Sequence, residues 1–388
     1  LITRSLFLSG DKKTWPADLK QRGQKENLLF WRDNCFICTQ QLLHSNSKGN
    51  LDMSQLTIVD LAKKLGLSKS TVSRAFRDNV DINPATKARI LAMAEEIGFS
   101  PNVYASSLKA NKSLTIAIII PEFGNKFFSQ AIKGIEAVAR SKGYHTLIYV
   151  TDHQVQNEAS IVRSLANGRV DGVIISASGE GKDHSHLQLL AERGIPVMFF
   201  DRAYDDWKGG YITGNDLDSA YLATKHLIDN DCKRIAYLAI NPNVSIGKVR
   251  KDGYEKALQE AGIPIRTELI LDTVNDADQN MKAIARLIKQ EKPDAIFAAV
   301  ERLAISSIRV AKQRGIRIPE DLKIICFSCL DIADLIDPAL SVVKQPAYEM
   351  GELVTKYLLE KMDNPENNKF ANSVYLDSQL IFQKSSLK

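Results

Sequence analysis

One short polar run has the residue types needed to hold a polyanion and to read it. It is Ser68-Lys69-Ser70-Thr71-Val72-Ser73-Arg74. Wound as a helix, it turns Val72 inward and Lys69, Ser70 and Arg74 outward. Lys and Arg can donate to guanine O6 and N7, and Ser can serve several bases. Thr57, Ser68, Thr71 and Ser73, with the free amides of helix starts, suit phosphate oxygens, which fix register without reading sequence. Other chemistry is sparse. No G-x-G-x-x-G follows a strand, and there is no P-loop, G-x-S-x-G or H-E-x-x-H. His184 and His186 are among six histidines, without a metal constellation around them. The five cysteines are Cys35, Cys38, Cys232, Cys326 and Cys329. Two C-x-x-C pairs could form a zinc site, but the second pair ends an apolar strand, where cysteine is a common core residue. No metal or cofactor is expected, nor catalysis.

The elements around the polar run fit that reading. Thr57 and Asp60 have capping-box spacing, and Ile58, Leu61, Ala62 and Leu65 make one apolar face. Gly66 supplies a turn, Ser68 caps a second helix, and Val72, Ala75 and Phe76 face inward. Asn83-Pro84 starts a third helix, with Ala88, Leu91 and Ala94/Glu95 continuing its period and Gly98 ending it. Three short helices, the first two split by a tight turn, make a helix-turn-helix.

After Lys112 the rhythm changes to apolar runs alternating with helices. Runs fall at Thr115–Pro121, Thr146–Val150, Val170–Ser176 and Pro196–Phe200, then at Arg234–Ile240, Glu268–Leu271, Ala295–Ala298 and Leu322–Cys326. A helix follows at Tyr348–Met362, with short strands near Val374 and Ile381. Repeated βα units imply parallel sheet covered on both faces. About ten strands are too many for one comfortable open sheet, so two lobes with a ligand cleft are expected.

The chain has 388 residues, enough for two or three domains. Residues 57–113 carry nine Lys and Arg against five Asp and Glu, and residues 1–56 eight against five. With a total of +5, the rest is slightly acidic. A basic head on an acidic body fits a polyanion binder. No apolar run is long enough to span a bilayer, and no basic-then-apolar signal opens the chain, so a cytoplasmic location is expected. Residues 1–52 lack periodicity, and Met53 resembles a natural start. They are expected to be an unstructured leader or a wrong start.

The sequence from Thr57 to Arg74 closely resembles the opening of the LacI/GalR (lactose-repressor/galactose-repressor) family. The resemblance continues through Pro84–Arg89 and Gly98-Phe-Ser-Pro-Asn102, then through the core to about Phe382. It implies a helix-turn-helix head at 53–100, a hinge helix at 101–112, and a periplasmic-binding-protein-like α/β core at 113–388. Lobe 1 would be 113–213 and 345–372, and lobe 2 would be 214–344 and 373–388. In the hinge, Leu108 matches the leucine that wedges into the minor groove, with Asn102, Ala105 and Lys109 supporting it. An apolar wedge unstacks a base step and bends the duplex. Its polar neighbours Ser106, Ser107, Lys109 and Asn111 leave little for Leu108 to form a core with.

The resemblance also implies effector contacts at strand ends. Asn125 and Phe128 match the loop after the first strand, where Lys126 replaces the usual proline. Asp201-Arg202 matches a strand end that meets polar ligand groups, and Arg250 matches an effector-gripping arginine. Glu301 stands where the family has aspartate after asparagine, here Val300. Ser328 replaces an effector-binding aspartate, and Cys232 follows Asp231 rather than glycine. The departures at Val300, Glu301 and Ser328 point to a different or more acidic effector. The last crossover between lobes matches Gln345-Pro346, and no C-terminal heptad helix follows. The expected function is a dimeric repressor on a near-palindromic operator, controlled by a sugar or sugar derivative. The alternative is a periplasmic-type solute-binding protein without a regulatory role.

Overall fold

The computed structural model describes residues 57–76, 82–99, 112–178, 183–240, 244–364 and 373–387. The chain divides into two compact units between Pro101 and Asn102.

The first unit is built from α1 (Ile58–Leu65), α2 (Lys69–Ala75) and α3 (Pro84–Glu96). Each begins with a side-chain cap. Thr57 and Asp60 form a reciprocal box, with Thr57 N donating to Asp60 Oδ2 at 2.9 Å. Ser68 Oγ accepts from Thr71 N at 3.1 Å, and Asn83 Oδ1 accepts from Ala85 N at 2.9 Å. Gly66 ends α1 at φ +66°, a left-handed turn that glycine adopts without steric cost. Leu61, Ala62, Leu65, Val72, Ala75, Ile90 and Ala94 make the core, with Phe76 and Phe99 packed at its edge. Arg89 donates to Leu65 O at 2.6 Å and ties α3 to the end of α1. One expectation fails. Ala88 is exposed and Leu91 is 42% exposed, and α3 packs through Ile90 together with the expected Ala94. The apolar residues of α3 do not by themselves fix which side turns in.

The second unit contains two six-stranded sheets. The strands are β1 (Thr115–Ile120), β2 (His145–Val150), β3 (Gly172–Ile175), β4 (Val197–Phe200), β5 (Tyr211–Gly214) and β6 (Ile235–Ala239). They continue as β7 (Ile270–Asp272), β8 (Ala295–Ala298), β9 (Lys323–Phe327), β10 (Ser341–Lys344), β11 (Val374–Leu376) and β12 (Gln379–Ile381). The first sheet has the order β11-β5-β4-β3-β1-β2 and the second β12-β10-β9-β8-β6-β7. All neighbours are parallel except β10 and β12. The helices are α4 (Lys126–Ser141), α5 (Val155–Leu165), α6 (Gln188–Glu192), α7 (Asp216–Asp229), α8 (Ser245–Glu260), α9 (Ala277–Glu291), α10 (Glu301–Arg314) and α11 (Ala347–Asp363).

The two lobes repeat one device. Asp171, just before β3, takes Ser113 N at 2.6 Å and Leu114 N at 2.8 Å. Asp294, just before β8, takes Lys233 N at 2.7 Å and Arg234 N at 3.0 Å. In each lobe a carboxylate thus satisfies amides just before the lobe's first strand, β1 or β6. Two glycines allow close helix packing. A Cβ on Gly351 of α11 would lie 2.0 Å from Ala131 O, and one on Gly253 of α8 would lie 2.3 Å from Leu217 O.

The chain crosses between lobes after β5, after β10 and after β11. The last crossing corrects the expected boundary. Val374–Leu376 pairs with β5 in the first sheet, so the second lobe resumes only at β12. Among the described helices, none is long and apolar enough to cross a membrane.

Candidate functional site

The recognition surface of the first unit is the outer face of α2. Val72 and Ala75 are buried, while Lys69, Ser70 and Arg74 are exposed and Thr71 and Ser73 half-buried. Arg74 Nε lies 3.4 Å from Ser70 O, which lays its side chain along the helix. Ser68 Oγ is also within 2.8 Å of Thr71 Oγ1 and 2.7 Å of Ser70 Oγ. Its hydroxyl is therefore occupied by the cap network. Thr57 is similarly bonded to Asp60, whose carboxyl the Thr57 hydroxyl holds below its usual range. Asn102, Ala105, Leu108 and Lys109 lie outside the described residues, as do the leader, Cys35 and Cys38.

In the second unit the carboxyl ends of the strands converge on one cavity. Asn125, Phe128, Asp201, Arg202, Arg250, Glu301 and Ser328 all line it. Phe127, Phe327, Cys329 and Gln345 complete much of the wall. Its volume is about 20 Å³, room for about one water, so a sugar-sized ligand requires the lobes to part. A groove of about 1160 Å³ lies at the opposite, amino end of the first sheet, beside Thr115, His145 and Asp171. It is lined by Asp171, Arg169 and Arg193, and Asp171 is already occupied by the backbone amides of Ser113 and Leu114.

Each polar wall has a local origin. Asn125 caps α4 by accepting from Phe127 N at 3.0 Å, so its amide nitrogen is left for other partners. Phe128 packs edge-on to Phe127 and Phe200, and is core and cavity wall at once. Asp201 sits at φ +62°, a conformation Asp tolerates better than most side chains. It is held there by its N–H to Ile212 O at 2.9 Å and by Thr213 Oγ1, which donates to its carbonyl at 3.0 Å. Burial raises the Asp201 carboxyl to about 6, with Arg202 opposing the shift. Arg202 lies 3.6 Å from Asp201 Oδ2 and donates to His153 Nδ1 at 3.3 Å, while its buried Nε has no hydrogen-bond partner. His153, 3.8 Å from Glu122, holds that carboxyl below the ordinary range.

Arg250 is a structural hub. Its Nε and Nη2 both lie 3.0 Å from Asp216 Oδ2, Nη1 donates to Ala299 O at 2.6 Å, and the guanidinium sits 3.9 Å over the Phe327 ring. Among the described residues three of its five N–H donors are engaged. Glu301, 9% exposed, opens α10 and accepts from Ser328 Oγ at 2.8 Å. Ser328 Oγ in turn accepts from Leu330 N at 3.0 Å. The amino end of a helix favours an acid by roughly 0.3–1 kcal/mol. Burying a carboxylate costs several kcal/mol, so the helix offsets only part of it.

Two partners were missed in the sequence. Asp216 has no motif of its own and meets Arg250 across 34 residues. Lys126, noted only as a replacement for proline, bridges the lobes to Asp331 at 2.9 Å. Cys326 and Cys329 are buried free thiols. Burial pushes the Cys329 thiol up to about 12, which disfavours a thiolate, and no metal cluster occurs among the described residues.

Two family models match. "Bacterial regulatory proteins, lacI family" covers residues 57–102, and "Periplasmic binding proteins and sugar binding domain of LacI family" covers 113–377. Catabolite control protein A of Priestia megaterium is 30% identical over 328 residues, 84% of this chain and 96% of that protein. The HTH-type transcriptional repressor CytR of Escherichia coli (strain K12) is 30% identical over 332 residues, 85% and 96% of the two chains. The fold matches a lac repressor dimer bound to operator and the anti-inducer ONPF, with TM-score 0.76 and 22% identity over 86% of this chain and 99% of that one. A regulator from Enterococcus faecium with bound ribose matches at TM-score 0.63 and 26% identity, over 70% of this chain and 98% of that one.

Proposed function

This chain belongs to the lacI family of bacterial regulatory proteins, and we propose that it acts as a dimeric, effector-controlled repressor whose α2 reads operator DNA. The family is one of DNA-binding transcriptional regulators, and the relatives are named as regulators rather than enzymes. The exposed row Lys69, Ser70 and Arg74 on a helix whose other face is buried carries the reading. Lys69 and Arg74 contact base edges, while Thr71, Ser73 and the amides at the start of α2 hold phosphates. Thr57 and Ser68 shape the helix starts and approach the backbone from there. The resemblance supports Leu108 as the minor-groove wedge, with Asn102, Ala105 and Lys109 around it. A dimer then meets two half-sites of a near-palindrome.

The strand-end cavity is the effector site, with a sugar or sugar derivative between the lobes. The ribose-bound relative and the sugar-binding family model support this assignment. Effector changes operator affinity by favouring one lobe arrangement, at a coupling of about 1–3 kcal/mol. The test is binding-site selection with Lys69→Ala and Arg74→Ala. Each should relax preference at one position per half-site, by about 1–3 kcal/mol for a bidentate reader. A variant that retains the full preference is not reading bases. Leu108→Ala should weaken specific binding more than non-specific binding in the same titrations.

A further inference from the structure

The charges around the cavity do not balance one for one. Arg250 is matched by Asp216, with two contacts of 3.0 Å to Oδ2. Arg202 faces Asp201 at 3.6 Å, and Lys126 at the rim pairs with Asp331 at 2.9 Å. Glu301 is the acid left over. Ser328 donates to its Oε2 at 2.8 Å, and among the described residues no cation lies within ion-pair distance and no donor reaches Oε1. The residue is nine-tenths buried and part of the cavity wall. The amino end of α10 offsets part of the cost of burying that charge, and the neutral Ser328 cannot supply the rest.

The other free groups describe the remainder of a ligand. Arg202 Nε, 3.6 Å from Asp201 Oδ2, is a buried donor that makes no hydrogen bond among the described residues. Among the described residues no hydrogen bond is made by the Asn125 amide nitrogen, while its oxygen caps α4. These donors suit hydroxyl oxygens. Phe128 gives the cavity an apolar wall against which a sugar ring can lie, while the Phe327 ring is already covered by Arg250. A carboxylate or phosphate on the ligand would add negative charge beside an acid that is already uncompensated.

We infer that the effector carries a protonated nitrogen on a hydroxyl-rich frame, an amino sugar by chemical class, with the nitrogen paired to Glu301. The inference rests on the strand-end cavity being the effector site, and it reverses the acidic effector that the substitutions at Val300, Glu301 and Ser328 suggest in sequence.

The test is calorimetric titration of the full chain at pH 6.5. The probes are glucosamine, galactosamine and mannosamine, each beside its neutral parent hexose, with glucuronate and glucose 6-phosphate as acidic comparators. At least one aminohexose should bind tenfold or more tightly than its parent. That preference should vanish at pH 9, where the amine is largely uncharged, and should fall to near one in Glu301→Gln. The pH comparison uses the unaltered protein, so it stands even where the variant fails to fold. Tighter binding of glucuronate or glucose 6-phosphate, or equal binding of aminohexose and hexose, overturns the amine while upholding a ligand-controlled cleft. Silence from all three aminohexoses overturns it as well. Release or retention of operator DNA with neutral sugars then judges the effector reading separately.

Discussion

Replacing Arg250 with methionine separates its structural role from a ligand-binding one. Methionine keeps an unbranched, apolar side chain able to fill much of the space. It removes both contacts to Asp216 Oδ2, the bond to Ala299 O and the stacking on Phe327. Asp216 is 3% exposed, and its Oδ1 already lacks a hydrogen-bond partner. The variant therefore leaves a buried carboxylate uncompensated, which costs about 3–5 kcal/mol. Adding Asp216→Asn removes the stranded charge, and the double variant should recover all but about 1–2 kcal/mol, the remainder being the orphaned Ala299 carbonyl. Urea unfolding followed by circular dichroism gives both values, provided the slope against denaturant stays constant. A single variant costing less than about 1 kcal/mol, or a double variant no more stable than the single, refutes the claim that this ion pair braces the second lobe. Arg250 would then be held mainly for ligand.

Asp201 makes a pH prediction with a defined sign. Its folded value of about 6 lies above the reference 3.8, so the folded state holds the proton more tightly. Its contribution to stability is full below 3.8 and is lost as pH rises through about 6. Arg202 and Arg250 pull the Asp201 value down and Asp216 pushes it up, but burial is the largest cause. Asp201→Asn should flatten the stability curve between those limits; an unchanged slope means the proton is elsewhere. Lys126→Met removes the bridge between lobes to Asp331, a pair exposed enough to be screened. Small-angle scattering at low salt should detect a wider core, with the difference from the parent shrinking as salt is added. Identical profiles at low salt would deny the bridge a part in lobe closure.

The sequence determined most of the head on its own, though not which side of α3 turns in. Caps at Thr57, Ser68 and Asn83, the Gly66 turn and the inward Val72 are local signals, each set by residues within about one turn. It also determined that the core is parallel α/β, because β1, β3, β4 and β8 are apolar and buried on both faces. It brought Asn125, Asp201, Arg202, Arg250, Glu301 and Ser328 forward through likeness to a family, and the fold gathers them around one cavity. It did not reveal β5 and β10, four-residue strands with only two apolar residues each, unlike the more apolar β3, β4 and β8 of the same length. Nor did it show that Val374–Leu376 returns to the first sheet, since strand pairing depends on partners more than a hundred residues away. Charge pairing was decided by the tertiary structure alone. Whether a buried arginine or glutamate is satisfied depends on which distant side chain arrives beside it. Asp216 reaches Arg250, while no cation among the described residues comes within ion-pair distance of Glu301.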